Sequence, residues 1–263
     1  MNRFTLRNAC LWCWLFVSAL LSSSGLAQSD YLQQSEKEAK AILEKTIQTL
    51  GGRNYLQVQD ITVSGRYYEF RRDELQGTTL FESYTKFPHK FRNEIGKGRD
   101  VIIINDGEKG WKIEYKNLSE QSPEEIKNFL KNTSHNLDYV LRYRLKEEGM
   151  RFRYAGRSRI DLEEVDEVEL ISKDNDRVRI LLSTSTSLPL KAEYQSPGIG
   201  KRWATEDEKF FYNYHDIKGV QIPFKTVRMA NGFKASEVHL ESARLDWGLP
   251  DELFTPTFKG KIK

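Results

Sequence analysis

His89, His135, His215 and His239 are the chain's four histidines, and their spacing is the first test for chemistry. None forms a His-x-His or HExxH pair, the spacing that would set two imidazoles on one side of a metal. His215-Asp216 is the one adjacent histidine–carboxylate pair. On a strand, successive side chains point to opposite faces, so that carboxylate would not orient that ring. No G-x-S-x-G elbow is present to expose a serine nucleophile. Gly96-Lys97-Gly98-Arg99 has the residue types of a phosphate loop, but not its G-x-x-x-x-G-K-[ST] spacing or its following helix, and reads as a turn. The acidic pairs Glu163-Glu164 and Asp166-Glu167 lie by a turn without partner ligands. The residues therefore point to a protein that binds rather than catalyses, with no metal and no cofactor.

Two features could serve binding. In MRFRYAGRSRID, Arg151, Arg153, Arg157 and Arg159 fall on one face of a strand, opposite Met150, Phe152 and Tyr154. Such a face is either solvated and paired with neighbouring acids, or a docking surface for an anionic membrane or an acidic partner. The other feature is aromatic placement. Trp111, Ile113 and Tyr115 share one side of a strand, while Tyr67, Tyr84, Phe91, Trp203 and Phe211 sit in others. Taken singly, each reads as core; together they suit a concave apolar surface with polar tips at its rim.

These residues need elements to place them. In SEKEAKAILEKTIQTLGG, Ala39, Ile42, Leu43, Ile47 and Leu50 recur at helical spacing, and Gly51-Gly52 form the stop. From Asp60 the period changes to two. DITVSGRYYEF, TTLFESYTKFPHKFRNEI and VIIIN…GWKIEY read as strands, with Asp106-Gly107 as a hairpin turn. Ser122-Pro123-Glu124-Glu125 carries a capping box with proline at the first helical position. Ile126, Phe129 and Leu130 begin an apolar face, Asn132-Thr133-Ser134 breaks it, and Leu137, Val140, Leu141 and Leu145 continue it. Strand patterns then run to the C-terminus. The expectation is one α+β domain over residues 28–263. It has a strongly curved, incomplete antiparallel barrel of about ten strands, an N-terminal helix, and a helical lid over residues 123–148. Sheets of that size curl to protect their edges, which creates a mouth.

Composition narrows the setting. Arg3 and Arg7, the apolar run Leu11–Leu21, and small residues at Gly25 and Ala27 have the layout of a secretory signal peptide over residues 1–27, cut before Gln28. Both cysteines, Cys10 and Cys13, fall inside it, so the mature chain forms no disulfide and no thiolate metal site. A net charge of +3, two units of it from the leader arginines, removes the electrostatic case for a nucleic-acid partner. A mean hydropathy of −0.63 with 12% aromatic residues describes a soluble, folded, export-compatible chain.

The order of short motifs is itself informative. Thr85-Lys86-Phe87-Pro88-His89-Lys90-Phe91-Arg92 precedes Ile102-Ile103-Ile104-Asn105-Asp106-Gly107 and then Trp111. The chain closes on Leu249-Pro250-Asp251-Glu252-Leu253-Phe254-Thr255-Pro256. This series resembles the outer-membrane lipoprotein-carrier family typified by LolA and LolB, over most of residues 35–258. The resemblance implies a half-open barrel with helices over its open side and a cavity for acyl chains. It also implies a periplasmic location, and either a lipid or acylated-lipoprotein ligand or an envelope sensor role with a protein partner. It places Trp111 and Phe91 on the cavity wall, with Phe87, Tyr84, Tyr67, Ile113, Tyr115, Phe129 and Val140 as further candidates. Phe87 stands where the carriers have an arginine before the proline, a departure that touches lipoprotein handling and leaves hydrophobic-ligand binding standing. A monomer is expected.

Overall fold

The computed structural model describes residues 10–196 and 205–257, with side chains from Asp30 onward except at Ser196 and Thr205. The expected leader and Trp203 therefore lie outside the residues whose side chains are described. Helix α1 (Cys10–Leu50) opens the fold, starting upstream of the Ser35 that the apolar period marks. Ala39, Leu43, Thr46 and Leu50 are each at most 2% exposed, which is the buried stripe the helical spacing requires. Gly51 and Gly52 stop the helix with φ of 127° and 56°. The Gly52 N–H donates back to the Ile47 carbonyl at 2.8 Å, satisfying one of the helix's last carbonyls. A short helix α2 (Arg53–Gln57) leads into the sheet.

The first arm of the sheet is β1 (Asp60–Arg71), β2 (Glu74–Lys86), β3 (Lys90–Ile95), β4 (Val101–Asn105), β5 (Gly110–Glu114) and β6 (Asn117–Glu120). Helices α3 (Pro123–Ser134) and α4 (Leu137–Arg142) follow, then a 3-10 turn at Arg144–Lys146. The second arm is β7 (Arg151–Ile160), β8 (Glu163–Ile171), β9 (Arg177–Ser183), β10 (Pro189–Ser196), β11 (Thr205–Ile217), β12 (Val220–Ala230) and β13 (Phe233–Leu245). All form one antiparallel sheet of thirteen strands in the order β6-β5-β4-β3-β2-β1-β13-β12-β11-β10-β9-β8-β7. The sheet is open, and its strand count exceeds the expected ten for two reasons. The run TTLFESYTKFPHKFRNEI turns back at Phe87–His89, where Pro88 cannot donate to a ladder, and becomes two strands. Strand β6 has no alternating apolar pattern to announce it: all four residues are exposed.

The two edge strands, β6 and β7, are consecutive in sequence. The α3–α4 segment that joins them therefore crosses one face of the sheet, here termed the inner face. Over the second arm, that face is a filled core. Val168, Leu170, Val178, Ile180, Ala192 and Phe211 pack there with Ala39, Leu43 and Leu50 of α1 and Leu137, Val140 and Leu141 of α4.

On the outer face, Tyr84, Arg92, Ile104 and Trp111 lie side by side across β2–β5. The C-terminal segment covers them, burying Leu249, Leu253 and Phe254 against Tyr84 and Ile104. Arg92, 2% exposed, is held by Glu94 at 2.7 Å and donates to the Leu253 carbonyl at 3.2 Å. Asp60 fixes the start of this segment. Its carboxylate accepts from the backbone N–H groups of Trp247, Gly248 and Leu249 at 2.8, 2.9 and 3.1 Å. Asp60→Ala leaves three backbone donors, that of Leu249 buried, without their charged acceptor and is expected to cost about 3 kcal/mol. Urea unfolding checks this; a loss under about 1 kcal/mol, the net worth of one ordinary hydrogen bond, would contradict it.

Candidate functional site

Over the first arm the inner face is not filled. Register places Thr85, Phe91 and Asn105 in one row across β2–β4, and Ser83, Asn93 and Ile103 in the next. Phe81 and Ile95 follow, with Val63 and Tyr67 on the adjoining β1. Val63, Tyr67, Phe81, Phe91, Ile95 and Ile103 are all half-buried, and none belongs to the core under α1 and α4. The strip thus carries six half-buried apolar side chains with Thr85, Ser83, Asn93 and Asn105 set among them.

Helix α3 roofs it. The helix starts where the sequence says: Glu125 N–H donates to Ser122 Oγ at 3.3 Å and Ser122 N–H to Glu125 Oε2 at 2.7 Å. That backbone donor holds the Glu125 carboxyl below its ordinary pKa. Although amphipathic, α3 has no buried residue. Its Phe129 ring lies on the strip, 5.8 Å from the Phe91 ring, and Ile126 and Leu130 beside it stay half-buried.

Both ends of α3 are fixed. At the first, Gln121 N–H donates to the Gly110 carbonyl at 2.8 Å. At the second, three cationic or hydrogen-bonding side chains converge on Asp176. Lys131 Nζ approaches at 2.7 Å, His135 Nε2 at 3.0 Å from both oxygens, and Arg144 Nη2 at 3.0 Å. Burial alone would raise the Asp176 carboxyl; the hydrogen bonds from His135 and Lys131 outweigh it and hold the group far below the usual carboxylate range. In sequence, Asp174-Asn175-Asp176 signals only a turn, so this anchor is not legible there.

No protein-family model matches the chain, and no curated protein does. Solved structures do. A DUF1329 family protein from Desulfovibrio piger superposes with a TM-score of 0.58 at 16% identity, covering 83% of this chain and 97% of that one. A LolA superfamily protein from Nitrosomonas europaea gives 0.54 at 17% identity, covering 82% and 97%. An outer membrane lipoprotein-sorting protein domain from Vibrio parahaemolyticus gives 0.52 at 15% identity, covering 80% and 97%. The chain has the LolA-type fold.

Within this LolA-type sheet the nine wall candidates separate. Phe91 and Tyr67 lie on the semi-exposed inner strip, with Phe129 over Phe91. Val140 and Phe87 belong to the filled part of the inner face. The Arg142 guanidinium stacks on Phe87 at 4.5 Å and on Tyr55 at 4.3 Å, and it donates to the Val58 carbonyl at 3.1 Å. An arginine thus does stand at Phe87, supplied by α4. Trp111, Ile113 and Tyr84 are on the outer face under the C-terminal segment, so Trp111 and Phe91 do not line one wall. Tyr115 lies past the end of β5 in a turn, with φ of 45° and 75% exposure, and does not share the Trp111 side.

The arginine row also divides. A bulge between Tyr154 and Gly156 shifts the register, which turns Arg157 and Arg159 to the side opposite Arg151 and Arg153. Arg153 pairs with Glu169 at 2.6 Å, Arg157 with Asp166 at 2.9 Å and Arg159 with Glu164 at 3.2 Å. Three of the four are thereby neutralised within the sheet. A cleft of about 990 Å³ is lined by charged residues including Glu169, Asp176, Arg179 and Asp207 and by none of the nine candidates. Among the described residues, no group of three or more His, Cys, Asp and Glu is placed to hold a metal.

The depressed Asp176 carboxyl makes the roof's anchor pH-dependent. Its contribution is fully present above the ordinary carboxylate range near pH 4 and is lost as pH falls through the lower folded value. Asp176→Asn is expected to lower stability at about pH 7 and to decline less steeply than wild type from about pH 4 downward. Urea midpoints across that range check it, and identical slopes for the two proteins would contradict it.

Proposed function

We propose that this protein is an exported, non-enzymatic carrier or binding protein for a lipid or other acyl-bearing molecule. Its binding surface is the inner strip beneath α3, centred on Phe91 and Phe129 with Tyr67, Phe81, Ile95 and Ile103 alongside. The observation that carries this reading is the half-covered apolar strip itself: a roof helix with an apolar underside that buries none of its own residues. Isolated apolar side chains at a surface need no explanation. A contiguous strip roofed by an amphipathic helix marks a place where something apolar is received.

The mechanism is physical. Each methylene moved from water onto the strip is worth about 0.8 kcal/mol, so a chain of moderate length competes with a membrane surface. Roof and floor touch through aromatic rings, which can part without breaking a hydrogen bond. The contacts at the two ends of α3 hold the roof over the strip. Export is supported by Arg3, Arg7, the apolar run Leu11–Leu21 and the small residues before Gln28. A bacterial envelope setting is supported by the LolA superfamily and lipoprotein-sorting likenesses. Among the described residues no helix is long and apolar enough to cross a membrane.

Titration with an environment-sensitive naphthylamine dye and with a fluorescent fatty acid tests the reading. Wild type is expected to take up both. Phe129→Ala and Phe91→Ala are each expected to bind about tenfold more weakly, the effect of removing one large apolar contact. Outer-face Leu118→Ala is expected to bind as wild type does. A wild-type protein that takes up neither probe, or weakening confined to the outer-face variant, would overturn the proposal.

A further inference from the structure

Strand β4 ends on Asn105, which is 1% exposed. The turn that follows does not need it. Asp106 Oδ1 accepts from the Glu108 and Lys109 N–H groups at 2.9 and 2.7 Å, and Gly107 supplies the positive φ of 103°. The Asn105 side chain instead lies on the inner strip, directly across from Phe91. Neither its Oδ1 nor its Nδ2 bonds to any described residue. A buried, unpaired amide of this kind costs roughly 1–3 kcal/mol.

Asn105 is not alone. Phe91 and Asn93 share the inner side of β3, His89 ends the turn just before it, and His89 Nδ1 and Asn93 Oδ1 are likewise buried without partners. Burial pushes the His89 imidazole below its ordinary pKa, so the ring is neutral at neutral pH. The inner-face charges on the neighbouring β5, Lys112 and Glu114, are paired with each other at 2.9 Å. Space is reserved here as well. Gly110, the cross-strand partner of Asn105, has no positive φ to require glycine, yet a Cβ there would run into the Asn105 and Gln121 side-chain oxygens.

We infer that Asn105, Asn93 and His89 form a polar subsite around Phe91 that receives the uncharged hydrogen-bonding group of an acyl ligand, a carboxamide in preference to a carboxylate. Asn105 offers one donor and one acceptor face, which a ligand amide satisfies reciprocally. A carboxylate would present acceptors only and bring an unpaired charge into a site with no cation to receive it. The inference rests on the acyl-binding reading above and adds the polar end of the ligand to it.

The test is displacement of the naphthylamine dye by decanamide, by decanoate and by decyl chloride, in wild type and in Asn105→Leu, with the melting temperature of each protein. Wild type is expected to prefer decanamide over both competitors. Asn105→Leu is expected to bind decanamide roughly three- to tenfold more weakly, the worth of one or two hydrogen bonds, with decyl chloride unchanged and the melting temperature equal or higher. A merely structural asparagine would instead lower the melting temperature and weaken all three competitors together, which overturns the subsite. So does a wild type that binds dye and decyl chloride but shows no amide preference; in that case acyl binding itself survives. Failure of the dye to bind removes both. Asn105→Ala, which cannot overpack, gives the same reading if the leucine variant does not fold.

Discussion

The structure depends on one topological constraint: the first and last strands of a single open sheet, β6 and β7, are neighbours in the chain. Their connection has to cross the inner face, and it does so as two helices of different character. Helix α4 sinks its apolar side into the second arm, where Val140 is fully buried. Helix α3 stays above the first arm and buries nothing. A thirteen-stranded sheet that stayed flat would expose two long edges and a bare face. Crossing it with α3 and α4 ties the edges together and leaves one roofed, apolar strip.

The two faces of the first arm serve different purposes. The outer face is closed by the C-terminal segment, pinned at its root by Asp60 and further along by the buried Arg92. Trp111 is part of that closed packing. The inner face has Phe91 and Ile103 half-open and a set of buried amide and imidazole atoms without partners. Uncompensated polar groups are rare in folded cores. Four such atoms, His89 Nδ1, Asn93 Oδ1 and both amide atoms of Asn105, gather beside Phe91, whereas on the outer face the Asp60 carboxylate and the Arg92 guanidinium are hydrogen-bonded to the C-terminal segment.

Much of the architecture was legible in sequence because it rests on local rules. The α1 stop at Gly51-Gly52, the Ser122 capping box and the Asp106-Gly107 turn are each set by residues within a few positions of one another. Alternation found most strands, and the motif order pointed to the LolA-type fold. The limits are equally local. Alternation assigns residues to one of two sides but does not say which side the helices cover, so Trp111 and Phe91 were placed together although register puts them on opposite faces. A single bulge at Tyr154–Gly156 reverses that parity within one strand and divides the arginine row. The Asp176 anchor and the Arg142 stack on Phe87 join segments far apart in the chain, and no periodicity encodes them.

The central claim is that an acyl ligand lies on the inner strip beneath α3. Photo-crosslinking with a fatty acid carrying a diazirine along its chain, followed by peptide mapping, tests it most directly. Adducts are predicted on the inner-face side chains of β2–β4, Phe91 and Ile103 foremost, and on Phe129 of α3. Adducts confined to Trp111, Ile113 and the C-terminal segment, or none that unlabelled fatty acid competes away, would contradict it.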